Sequence, residues 1–144
     1  MVFITALLRK PDPEQRRRLE RAVADIDREL AANLELTSVF DQTKQAVVLE
    51  NGEFMRHRAT IEIGLAVASG ALADLYSRIS DTEAAMERRG PANSIRDDDR
   101  RLIETWEGDA RSVQRELRDA LARPPLSPLG TLVKRMRGLL PSRR

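Results

Sequence analysis

The 144-residue sequence contains no cysteine, one histidine and few aromatic residues. Without cysteine there can be no disulfide, no thiolate nucleophile and no cysteine-ligated zinc. Aromatic residues make up only 3% of the chain, so its core must be aliphatic. The apolar opening Met1–Leu8 is far shorter than the ~20 residues of a membrane-spanning helix. It also lacks the basic flank of a signal peptide, so we expect a cytoplasmic protein.

Motifs that carry chemistry are also missing. The sequence has no Gly-rich phosphate loop, no Gly-x-Ser-x-Gly elbow and no Cys/His constellation. His57 follows Glu53 by one helical turn, but two ligands do not make a stable metal site, which needs three or four. We therefore predict a surface histidine, no metal, no cofactor and no enzymatic activity.

Charged residues, in contrast, form 33% of the chain, a composition typical of long helices and coiled coils. Asp12 and Pro13 predict the start of a first helix. A repeat with alternating spacings of four and three then predicts a coiled-coil-like seam. Its positions are Leu19, Val23, Ile26, Leu30, Asn33, Thr37, Phe40, Lys44 and Val47.

Asn51-Gly52 interrupts this repeat, and a second one follows and ends before Gly90-Pro91. Its positions are Phe54, Arg58, Ile61, Leu65, Ala68, Leu72, Leu75, Ile79, Thr82 and Met86. Two long helices joined by a tight turn predict an antiparallel hairpin in which residue i lies near residue 103 − i. Asn33 would then face Gly70. Because small residues cluster from Gly64 to Ala73, we expect a neighbouring helix to approach closely there.

The segment around Asn51-Gly52 also permits another structure. Asn-Gly between β-branched and aromatic residues is a strong β-hairpin signal, so residues 46–56 could form a small hairpin instead. The unbroken heptad phase on both sides favours the helical turn.

A third helix is predicted from Ser94, with a narrow apolar face that includes Trp106 as a core anchor. Pro124-Pro125 ends it, and a short amphipathic helix follows. The predicted fold is therefore all-α: a long antiparallel helical hairpin plus a third helix, a coiled-coil-like three-helix bundle in residues 1–123. Residues 124–144 form a proline-containing linker and a basic amphipathic tail.

Two candidate sites emerge from this arrangement. The hairpin brings together Asp41, Lys44, Arg58 and Glu62 near its turn; we interpret them as a mutually neutralised cluster, with an anionic-ligand or metal site as the alternative. The tail, residues 127–144, carries five positive charges and no acid. Its candidate partner-binding residues are Leu132, Val133, Lys134, Arg135, Met136, Arg137, Leu139 and Leu140.

The tail has four possible roles: packing on the bundle, binding an anionic membrane surface, docking to a protein, or contacting nucleic acid. Nucleic acid is disfavoured because removing the tail's five charges from the net +2 leaves −3 for residues 1–126. The two long helices are also longer than the third helix, so part of their apolar seam stays exposed unless another chain covers it. The leading hypothesis is thus a non-enzymatic scaffold or adaptor that self-associates, as a dimer, and the alternatives are a peripheral membrane protein and a small-ligand or metal binder near the turn.

Overall fold

The computed structural model describes residues 12–123, which form five α-helices and one 3₁₀ turn, with no β-strand in that range. The chain is therefore all-α, as predicted. None of the helices in residues 12–123 combines the length and the apolar content needed to cross a bilayer. The helices are α1 (Pro13–Thr43), α2 (Gly52–Gly64), α3 (Ala66–Ser77), α4 (Ile79–Glu87) and α5 (Asp97–Ala122), with the 3₁₀ turn at Pro91–Asn93.

Helix α1 begins as the sequence predicts. The Asp12 side chain accepts a hydrogen bond from the Glu14 backbone N–H at 3.1 Å, and Pro13 occupies the first turn. This arrangement satisfies one of the free donors that every helix N-terminus exposes.

The end of α1 differs from the prediction. The helix stops at Thr43, and Lys44 adopts a left-handed conformation with φ 58°, its N–H bonding to the Phe40 carbonyl at 2.7 Å. The Thr43 hydroxyl bonds back to the Val39 carbonyl and accepts from the Gln45 N–H, which competes with further helix. Residues 44–51 then run without helix or strand, so the continuous helix and the β-hairpin alternative at residues 46–56 were both wrong.

The early reversal at Lys44 changes the register between the first two helices. Asn33 bonds to Glu50, Glu29 to Glu53 and Asp25 to His57, so the numbers of paired residues add to 82 or 83 rather than 103. Helix α2 runs antiparallel to α1, as predicted, but the expected pairing of Asn33 with Gly70 was wrong. A side chain at Gly70 would meet nothing within 4 Å.

The predicted second helix is divided into α2, α3 and α4 by breaks at Leu65 and Arg78. At the first break, a Cβ on Gly64 would lie 2.7 Å from a methyl carbon of Leu19, so the expected close approach is confirmed there. The chain then turns back along α1. Tyr76 on α3 bonds to Glu29, and Glu83 on α4 bonds to the backbone of Leu49.

Helix α5 returns antiparallel to α1, with Gln114 bonding to the Asp27 carbonyl and Arg16 to the Leu121 carbonyl. It begins at Asp97 rather than at Ser94, because Ile95 forms an isolated antiparallel bridge with Arg89. Trp106 is fully buried and donates its indole N–H to the Leu75 carbonyl at 3.0 Å, which confirms its role as a core anchor.

The core follows the two predicted repeats despite the breaks in the helices. The first seam is buried from Leu19 to Phe40, and the second is buried at all positions except Arg58 and Leu65. Local heptad spacing thus indicated which side chains face inward, even where the helix is interrupted.

Three polar side chains hold the non-helical segment 44–51 and the start of α2 against the core. The Asn33 amide both donates to the Glu50 carbonyl and accepts from its N–H, at 2.8 and 2.7 Å. The Glu83 carboxylate accepts from the Leu49 N–H at 3.0 Å. The buried Glu29 carboxylate accepts from the N–H groups of Glu53 and Phe54 and from the Tyr76 hydroxyl, so it caps α2 from a neighbouring helix.

Replacing Asn33 tests whether its two hydrogen bonds with the Glu50 backbone stabilise the fold. Asn33→Ala removes both partners of the Glu50 backbone at a fully buried position. We expect the free energy of unfolding to fall by about 2–4 kcal/mol, because buried polar groups lose their hydrogen bonds and a small cavity opens. Urea denaturation followed by circular dichroism measures this loss.

Asn51→Ala is the matched control, because Asn51 is exposed and its side chain makes no capping hydrogen bond. An equal decrease in the free energy of unfolding in both variants would show that the hydrogen bonds of Asn33 contribute nothing specific.

Candidate functional site

The largest exposed apolar side chains cluster on the outer side of α2 and the start of α3. Met55, Ile63 and Val67 are 60%, 87% and 84% exposed, and with the exposed Ala59 they recur every four residues. Residues spaced by four share one face of a helix, so Met55, Ala59 and Ile63 lie on one face of α2, and Val67 follows just after the break at Leu65. We call this set, Met55, Ala59, Ile63 and Val67, the α2 face.

A groove of about 340 Å³ adjoins the α2 face, between the start of α1 and the end of α2. Leu19, Ile63 and Gly64 form its apolar part, and the absence of a side chain on Gly64 leaves room for Leu19. Its polar rim consists of Gln15, Arg16, Arg18 and Thr60. Exposed apolar surface with a polar rim is typical of protein–protein contact sites.

The heptad pattern did not predict the α2 face. The heptad assignment selected Ile61 and Leu65 for the core, and Ile61 is indeed buried, but it left Ile63 and Val67 without a role. A signal was present: in the run Ile61-Glu62-Ile63-Gly64-Leu65-Ala66-Val67, large aliphatic residues occupy more of the helix surface than one seam can bury.

The predicted cluster of Asp41, Lys44, Arg58 and Glu62 does not assemble. Arg58 and Glu62 are exposed on α2; the guanidinium of Arg58 lies over the Phe54 ring, at the level of Glu29 on α1. Lys44 follows Glu29 by fifteen residues and lies beyond the end of α1. The fourteen residues of helix from Glu29 to Thr43 alone span roughly 21 Å, which separates Lys44 from Arg58. The physical reason is the early reversal at Lys44, which shifts α2 along α1.

Asp41 and Lys44 instead face α5. They line a cavity of about 240 Å³ together with Phe40, Ile95, Arg100, Ile103 and Glu104. The Lys44 ammonium lies 5.7 Å from the centre of the Phe40 ring. Two acidic and two basic side chains thus share the cavity, a balance that gives no preference for an anionic ligand.

Beside Asp41, the buried Glu107 of α5 has a raised pKa. Burial is the main cause, and the negative charge of Asp41 adds to it. Arg111, 4.0 Å away, and a hydrogen bond with Thr37 act in the opposite direction. The folded state therefore favours the protonated carboxyl more than the unfolded chain does.

Glu107→Gln tests the consequence for stability. Because folding raises the pKa of Glu107, the folded protein keeps this carboxyl protonated at pH values above about 4.3, where the carboxyl has ionised in the unfolded chain. The free energy of unfolding therefore falls as pH rises, until Glu107 ionises in the folded state as well. We expect the variant to be more stable than wild type at pH 7, by up to about 1 kcal/mol, and the difference to disappear below about pH 4. Thermal unfolding across a pH series measures it.

Glu116→Gln on the exposed side of the same helix serves as the control and should leave the pH dependence of wild type unchanged. If Glu107→Gln also followed the wild-type pH curve throughout, the raised pKa would not contribute to stability.

The remaining predicted site residues lie outside residues 12–123. These are Leu132, Val133, Lys134, Arg135, Met136, Arg137, Leu139 and Leu140 of the tail. Their roles in membrane or partner binding stay predictions, as does the domain boundary at residue 123.

Comparison of the chain with protein-family models, with curated proteins and with solved structures found no match. The residues and their geometry are therefore the basis for any functional assignment.

Proposed function

We propose that the protein is a non-enzymatic helical scaffold or adaptor that self-associates through the α2 face. The observation that carries the proposal is the exposure of Met55 and Ile63 on one face of α2, with the exposed Val67 just beyond the end of that helix. Isolated apolar side chains are normal on protein surfaces, whereas a contiguous group with a polar rim points to a partner.

The available energy fits an association of moderate strength. Burying a large aliphatic side chain stabilises by about 1.5–3 kcal/mol, and a symmetric dimer buries each member of the α2 face twice. Association costs about 4–15 kcal/mol in lost freedom of motion. Six large side chains provide about 9–18 kcal/mol, a gain of the same order as this cost, so a dimer of modest affinity that forms as the concentration rises is the expected outcome.

The shape of the surface also suits a helix–helix contact. Ala59 is exposed between Met55 and Ile63 on α2. The distance between packed helices depends on the size of the side chains between them, so small residues beside larger ones allow close packing.

Arg58 and Glu62 then acquire a role at the border of the interface. They are exposed, lie four residues apart and flank the α2 face on the same side. In an antiparallel pair of α2 helices related by a two-fold axis, Arg58 of each copy lies opposite Glu62 of the other. Such pairs at the rim favour one orientation more than they add affinity.

Ile63→Glu is the first test. Placing a charge in the centre of the α2 face should weaken self-association at least tenfold, because the carboxylate loses its hydration when it is buried. Sedimentation velocity of the full-length chain over a range of concentrations measures the dimer dissociation constant.

Val48→Glu provides the matched control, because Val48 is equally solvent-exposed but lies outside the α2 face. Wild-type protein that stays monomeric at every concentration would refute the proposal, and so would equal weakening by both substitutions.

A charge exchange tests the orientation. Arg58→Glu and Glu62→Arg should each weaken the dimer, since each places like charges opposite one another, and the double variant should restore most of the wild-type affinity. If the double variant is weaker than either single variant, the antiparallel arrangement is wrong even though the dimer exists.

A further inference from the structure

Asp25, Glu53 and His57 converge at the contact between α1 and α2. One donor atom from each side chain lies within 4.8 Å of the other two. The His57 Nε2 atom is 2.9 Å from Oδ2 of Asp25 and 3.5 Å from Oε2 of Glu53. The sequence offered only Glu53 and His57 as possible ligands, and the fold adds the third from a different helix.

These distances suit a shared metal ion. Zinc binds His nitrogen and carboxylate oxygen at about 2.0–2.2 Å, so neighbouring ligand atoms around one ion lie roughly 3–3.5 Å apart. The distances of 2.9 and 3.5 Å from His57 Nε2 to the two carboxylate oxygens are close to that spacing. One nitrogen and two oxygen donors suit a borderline divalent ion such as Zn²⁺ or Co²⁺.

The backbone around the three residues is held in place. Glu29, one turn after Asp25 on α1, accepts hydrogen bonds from the backbone N–H groups of Glu53 and Phe54 and so fixes the start of α2. Asp25 and His57 are mostly buried, and Glu53 is half-buried, which leaves one open side for water. Three protein ligands and an open position describe a ligand set that zinc accepts.

The two carboxylates already converge on a cation. The Arg56 guanidinium bonds to Oδ2 of Asp25 at 3.2 Å and to Oε2 of Glu53 at 2.6 Å. Arg28 makes a third ion pair, 3.3 Å from Asp25. Both arginine side chains are largely exposed, so each can move into solvent when another cation takes its place.

We propose that Asp25, Glu53 and His57 bind one divalent transition-metal ion of the Zn²⁺ class, which displaces Arg56 and links α1 to α2. Water fills the remaining coordination positions. The bound ion strengthens the contact between the two helices, next to the Glu29 cap. This site is separate from the α2 face, and its test does not depend on self-association.

Titration of the full-length chain, free of any affinity tag, with Zn²⁺ alone is the direct experiment. Isothermal titration calorimetry should give one ion per chain, and Co²⁺ should give a visible absorption band from a site of low symmetry. Because His57 is the only histidine, a nitrogen ligand can come from no other imidazole. Asp25→Asn and His57→Gln should each weaken Zn²⁺ binding at least tenfold and remove the Co²⁺ band.

Two further variants distinguish a metal site from a plain ion-pair network. Arg56→Gln should tighten Zn²⁺ binding, because it removes the competing cation, whereas a purely structural network gives no such gain. Glu35→Gln, which removes an exposed acid from α1 outside both proposed sites, should leave binding unchanged. Circular dichroism confirms that each variant is folded.

The proposal is overturned if wild-type protein binds no Zn²⁺. It is equally overturned if folded His57→Gln protein binds as tightly as wild type, since the ion then uses other carboxylates on the surface.

Discussion

The segment of residues 44–51 crosses from α1 to α2 without helical or strand hydrogen bonds of its own, so its buried backbone groups need partners from elsewhere. Asn33 and Glu83 supply them at Glu50 and Leu49, and Glu29 supplies them at the start of α2. Once these bonds are made, the level of α2 along α1 is fixed. The packing of every later helix depends on that level.

Both proposed sites follow from this register. Each residue of α1 pairs with a residue of α2 about 20 positions earlier in the chain than in the predicted hairpin. His57 and Glu53 therefore meet Asp25, and Gly64 meets Leu19. The remainder of the second repeat then folds back as α3 and α4 and leaves the outer side of α2 without a neighbouring helix in residues 12–123. Two of the three proposed metal ligands and most of the α2 face thus lie on the same short helix, the ligands toward α1 and the apolar side chains toward solvent.

The two carboxylates Glu29 and Asp25, at the contact between α1 and α2, have different surroundings. Glu29 is a buried carboxylate whose three donors are all supplied by the fold. Burial of Tyr76, together with its hydrogen bond to Glu29 and the charge of that carboxylate, raises the pKa of Tyr76. Asp25 has a lowered pKa, chiefly because it bonds to His57. The Glu29 carboxylate is fully satisfied by groups of the fold, whereas Asp25 shares the exposed Arg56 guanidinium with Glu53.

The sequence by itself determined that the chain is all-α and which seam positions are buried, because heptad spacing is a local property that survives breaks in a helix. It also located the α1 cap and the Trp106 anchor. Only the tertiary structure decided where the first helix ends and what pairs with it. Lys44 turns left-handed where Arg89, 45 positions away, donates to its carbonyl, and Glu83 accepts from the nearby Leu49 N–H. Local periodicity does not encode this long-range register. The register brings Asp25 together with Glu53 and His57. It also separates Asp41 and Lys44 from Arg58 and Glu62.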